Sequence, residues 1–73
     1  MIGIDMMARF VPAHLDRPLM TPEERRAATV RGSIIYVNYA HKYFTAEYER
    51  DGLTYKESFK FVDCGKRVTV RGH

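Results

Sequence analysis

The sequence predicts a mainly β protein, a small twisted antiparallel sheet of four to five strands that rolls toward a barrel. An extended N-terminal arm and a short helix precede it. Three observations carry this reading. From Thr29 onward the apolar residues recur with a period of two, the signature of strands with one buried face. Asp51-Gly52 stands between two alternating runs, the strongest short-range signal for a hairpin with a two-residue type I′ turn. The register this turn imposes also sorts the flanking side chains cleanly into an apolar and a polar face.

The arm spans residues 1–20. Pro12 and Pro18 exclude a continuous helix through it. Ile2, Ile4, Met6, Met7, Phe10, Val11, Leu15, Leu19 and Met20 make it too apolar for a free tail. The arm is therefore expected to dock, on its own barrel or on a neighbour's, with a mobile tail as the alternative. The alternation of Ile2, Ile4 and Met6 permits a short added strand. Ile4, Met6, Met7 and Phe10 are the candidate oligomer-interface residues, since flexible methionines suit an adaptable contact surface.

Residues 21–73 read as a single domain, with a helix over 22–28 and the β-barrel over 29–71. Thr21 is placed to cap the helix, Pro22 fits its first turn, and Glu24 completes a capping box with Thr21. Two turns cannot stand alone, so the helix is expected to pack on something. The first strand is Val30–Asn38. Its adjacent Ile34 and Ile35 predict a strand covered on both faces. Tyr39–Lys42 forms the first turn, Tyr43–Arg50 the second strand, and Asp51-Gly52 the second turn.

Counting outward from Asp-Gly pairs Arg50 with Leu53, Glu49 with Thr54, Tyr48 with Tyr55 and Glu47 with Lys56. It continues with Ala46 opposite Glu57, Thr45 opposite Ser58 and Phe44 opposite Phe59. Glu47–Lys56 is then an opposite-charge pair on the solvated face, worth a few tenths of a kcal/mol. Glu57 falls on the apolar face. It is either a buried acid or anchor for a ligand amine, or a rim group paired with an arginine or capping backbone N–H groups of the arm. A third turn, Asp63-Cys64-Gly65, leads to a last strand Lys66–Arg71 with Val68 and Val70 inward. Short hairpins and strong twist imply an SH3-like or similar small barrel.

The run Arg31-Gly32-Ser33-Ile34-Ile35-Tyr36-Val37, followed by Tyr43-Phe44-Thr45-Ala46-Glu47-Tyr48, resembles the opening hairpin of many SH3-like barrels. With Lys56-Glu57-Ser58-Phe59 it completes a pattern, over residues 30–61, similar to small uncharacterised proteins encoded by phages and prophages of Gram-positive bacteria. The resemblance implies a fold and a phage context and carries over no functional residues. A short helix ahead of a sheet is also loosely similar to Sm-like RNA-binding proteins, but the signature segments of that family are not evident.

The chain has 73 residues, a size at which only about 60% of the unfolded surface is buried, so oligomerisation is the expected extra source of stability. Its single cysteine, Cys64, excludes an internal disulfide and suits a reducing, cytoplasmic setting. No apolar run approaches the roughly 18 residues that a bilayer requires, and Asp5 and Arg9 interrupt any secretory leader. Residues 1–28 carry four basic and four acidic side chains, whereas residues 29–73 carry eight basic against five acidic. The whole net charge of +3 therefore falls on the β-rich part, which suits an anionic partner.

No catalytic constellation is predicted. His14, His41 and His73 are scattered, and Cys64 lies in a different turn from any of them. One cysteine and isolated histidines supply no zinc pair, and no cofactor is expected. The candidate ligand- or partner-binding residues are Tyr36, Tyr39, His41, Lys42, Tyr43, Lys60, Lys66 and Arg67, with Arg31 and Arg71 extending the surface. Rings of this kind stack on bases while the cations hold phosphate. The expectation is a non-enzymatic binding module, homo-oligomeric, whose partner is a host protein or small anionic ligand. In the phage context it would bind and block a host component, as an inhibitor of a defence protein or a sponge for a nucleotide signal. The alternatives are a nucleic-acid-binding small barrel and a structural or accessory oligomer.

Overall fold

In chain order the elements are β1 (Met7–Phe10), α1 (Pro22–Ala28), β2 (Val30–Asn38), β3 (Tyr43–Arg50), β4 (Leu53–Lys60), a 3₁₀ turn (Phe61–Asp63) and β5 (Val68–Arg71). They are seen in a computed structural model that describes residues 2–72. The strands form one five-stranded sheet in the order β4-β3-β2-β1-β5, with every neighbouring pair antiparallel.

The β3–β4 hairpin has the expected register over all seven pairs counted from the sequence, and Tyr43 opposite Lys60 adds an eighth. Asp51 and Gly52 have φ of 54° and 78°, the two positive values a type I′ turn demands. Phe44, Ala46, Tyr48 and Phe59 are buried, while Thr45 and Ser58 join hydroxyls at 2.8 Å on the other face.

The arm docks on its own chain and does so as a strand. Met7–Phe10 lies between β2 and β5, one step beyond the Ile2–Met6 alternation that had marked the added strand. Ala8 and Phe10 are 0% and 3% exposed, so the arm supplies core that residues 21–73 lack. Phe10, one of the four candidate interface residues, is thus buried within its own chain. Its ring packs edge-on against Tyr48 and Phe59, at centroid distances of 5.3 and 4.8 Å. Met6 packs against the same core, and only Ile4 and Met7 of the four candidates are exposed.

β1 and β4 are three strand spacings apart in the sheet, about 14 Å if it were flat. A 4.8 Å separation between the rings of Phe10 and Phe59 therefore requires the sheet to curl over its core. The fold is barrel-like, and β4 and β5 remain its two edges, linked in sequence by the 3₁₀ turn.

Two local readings need correction. β2 is not covered on both faces: the register shifts between Ile34 and Tyr36, a β-bulge at Ile35 that leaves Ile34 fully buried and Ile35 39% exposed. The last strand starts at Val68, not Lys66. Asp63 gathers the intervening turn: its carboxylate accepts from the Lys60 N–H at 2.9 Å, and its carbonyl from the N–H groups of Lys66 and Arg67.

Helix α1 has the full capping box between Thr21 and Glu24. It contributes no buried residue to the core, contrary to expectation. Ion pairs hold it to the preceding loop instead, Glu24 with Arg17 at 3.0 Å and Arg25 with Asp16 at 3.2 Å. Among the described residues no helix is long and apolar enough to cross a membrane.

Candidate functional site

Strand alternation determines what the outer face of the curled sheet presents. Because Phe44 points into the core, its neighbours Tyr43 and Thr45 point out. The bulge in β2 then aligns Tyr36 with Thr45 and Asn38 with Tyr43, all on the outer side. Without the extra residue at Ile35, Tyr36 would follow Ile34 inward. The Tyr36 and Tyr43 rings lie 5.8 Å apart, inclined by 46°, and Tyr36 is 45% exposed. Asn38 steadies them: its amide donates to the Tyr36 hydroxyl at 3.2 Å, and its side-chain oxygen accepts from the His41 N–H at 2.9 Å. Lys60 lies directly across from Tyr43.

His41, Lys42, Tyr43 and Lys60 also border a cleft of about 620 Å³ that Phe59, Phe61 and Val62 help to line. The structure thus brings Tyr36, Tyr43, His41, Lys42 and Lys60 to one end of the sheet. The other three candidates are engaged with partners or lie outside the cleft. Tyr39 is a latch: its hydroxyl donates to the Ile2 carbonyl and its ring meets Phe61 edge-on at 6.0 Å. Arg67 borders the cleft but is engaged, pairing with Glu57 at 3.2 Å and Asp63 at 3.9 Å while its guanidinium lies 5.2 Å from the Phe59 ring centroid. Lys66 is exposed in the turn before β5, outside the cleft lining.

Glu57 takes both parts of its rim reading. One carboxylate oxygen accepts from the Ala13 N–H at 3.1 Å, and the other accepts from Arg67. It fastens the segment after β1 to β4, which accounts for a carboxylate on the apolar side.

Arg9 is the outer-face residue that the sequence reading missed. The register of β1 places Arg9 directly opposite Arg31 on β2 and Thr69 on β5, while Met7 lies between Ser33 and Arg71. Three arginines, Arg9, Arg31 and Arg71, therefore cluster on exposed positions of three adjacent strands. Among the described residues none of them takes part in an ion pair. Like charges directly opposite each other weaken a sheet. Glu47 and Glu49 are the nearby outward carboxylates on β3, across β2 from Arg9.

The outward positions of the five strands hold Arg9, Arg31, Lys56, Lys60 and Arg71 against Glu47 and Glu49, an excess of three positive charges that equals the net charge of the chain. Elsewhere the ionic groups cancel.

Cys64 is half-buried, and burial first, then the Asp63 carboxylate, pushes its thiol above the ordinary range. His14 lies against Tyr55 at 6.0 Å, His41 is fixed in the β2–β3 turn, and His73 lies outside the described residues. Among the described residues no three His, Cys, Asp or Glu side chains converge as metal ligands. A second groove, about 640 Å³, runs past Ile2, Met6, Tyr39, Phe61 and Val70 near the β5 edge.

Comparisons of the chain with protein-family models, curated proteins and solved structures return no match.

Proposed function

We propose that this chain is a non-enzymatic binding module that offers the outer face of its sheet to an anionic partner. The observation that carries the reading is the confinement of the chain's entire net charge to that face, beside the exposed ring of Tyr36. A surface that held its charge only for solubility would have no need to segregate it. The opposition of Arg9 and Arg31 costs stability in the isolated protein, and an anion laid across the two offsets that cost.

The phage resemblance gives this a concrete setting: a small cytoplasmic protein that occupies an anionic host component through this face. Exposed Ile4, Met7 and Ile35 leave apolar area for self-association or partner contact.

Retention on immobilised heparin tests the reading. The protein is expected to bind at low salt and elute as salt rises, and the Arg9→Gln/Arg31→Gln/Arg71→Gln variant to flow through while Lys66→Gln is retained. Flow-through of the unaltered protein at low salt would contradict it.

A further inference from the structure

Resting on that reading, we infer that the anionic partner is a single-stranded nucleic acid, bound along a diagonal of the outer face from Tyr43 and Tyr36 past Met7 to Arg9, Arg31 and Arg71. The two ends of this diagonal offer different chemistry. At one end, two neighbouring tyrosine rings present π-faces of the kind on which unpaired bases stack. At the other, three arginines on adjacent strands present guanidinium groups that match phosphate oxygens. Met7, 40% exposed, lies between them on β1.

The spacing selects a strand over a mononucleotide. Tyr36 and Arg31 are five positions apart on β2, but the bulge reduces this to four steps of the ladder, about 13 Å at roughly 3.3 Å per residue. A short strand lays bases on the rings and successive phosphates along the three arginines, which one nucleotide with a single phosphate does not. The rings select an unpaired strand over a duplex, because base faces inside a helix are already stacked. Glu47 and Glu49 flank the diagonal on β3 and repel a backbone that strays toward β4, which confines the phosphates to the β1–β5 side.

The inference is tested with the full chain, by fluorescence anisotropy of a labelled oligothymidylate of about twelve nucleotides, within the site sizes of small barrels. Three phosphate contacts at about 0.7 each predict a logarithmic salt slope of about −2, so affinity falls roughly twentyfold between about 50 and 200 mM salt. Arg9→Gln should make the slope shallower by about 0.7. Tyr36→Leu should weaken binding about tenfold and leave the slope unchanged, a separation that general charge attraction would not give. Both positions are exposed, and an unchanged melting profile would show each variant folded. A duplex of equal length that binds as tightly, with Tyr36→Leu neutral, would overturn the inference and leave the broader anionic reading standing. Retention on heparin without oligothymidylate binding would overturn it as well. Failure to bind either polyanion would remove both.

Discussion

The Phe10 and Phe59 rings meet edge to face with centroids 4.8 Å apart, although their strands are separated by two others in the sheet. That contact joins the N-terminal arm to the far hairpin. Phe10→Ala is expected to cost about 3–5 kcal/mol, enough to unfold most of a domain this small. Deletion of residues 1–11 should abolish cooperative unfolding altogether. Thermal denaturation by circular dichroism reads both; a normal transition in either would show that the arm is dispensable.

Gly52 has no atom near the position a Cβ would occupy, so its substitution probes the backbone alone. With φ at 78°, Gly52→Val should lose about 2 kcal/mol, whereas Gly52→Asn should be tolerated. Urea titration of the two variants would separate them.

Helix α1 depends on an exposed cap, and its pH response follows. The Thr21 backbone N–H first, then the Thr21 hydroxyl and Arg17, hold the Glu24 carboxyl below its ordinary value of 4.5. A lowered folded value means that the stabilisation is complete above pH 4.5 and disappears as pH falls through the lower folded value. Hydrogen exchange of α1 amides should accelerate relative to core amides over that acidic range, and Glu24→Gln should flatten the response.

The arginine cluster should trade stability for binding. Removing one member of the Arg9–Arg31 pair, as in Arg9→Gln, is expected to raise stability by a few tenths of a kcal/mol without ligand while weakening retention on heparin. A drop in melting temperature would indicate that Arg9 has a structural partner.

Much of the fold was legible because its strongest signals are local. Asp51-Gly52 and the alternation of Phe44, Ala46 and Tyr48 sufficed to place seven of the eight pairs of the β3–β4 hairpin. The bulge at Ile35 was not legible: two adjacent isoleucines satisfy a strand covered on both faces as well as one with an inserted residue. In the arm, Ile2, Ile4 and Met6 carry the same period as Ala8 and Phe10, and only docking against Ile34, Tyr48 and Phe59 decides between them.

The site divides along the same line. Tyr36, Tyr43 and Lys60 come together because the turn and hairpin that align them are close in sequence. Arg9 escaped notice because its position opposite Arg31 depends on the long-range register of β1. Tyr39 and Arg67 look free in the sequence, yet each is committed to a partner that only tertiary packing supplies, Ile2 for the one and Glu57 for the other.

A ¹⁵N-resolved NMR titration of the whole protein with oligothymidylate tests the central claim most directly. Shifts concentrated at Met7, Arg9, Arg31, Tyr36, Tyr43 and Arg71, on outward positions of four strands, are the expected result. Shifts confined to the groove around Ile2, Phe61 and Val70, or none at saturating oligonucleotide, would contradict it.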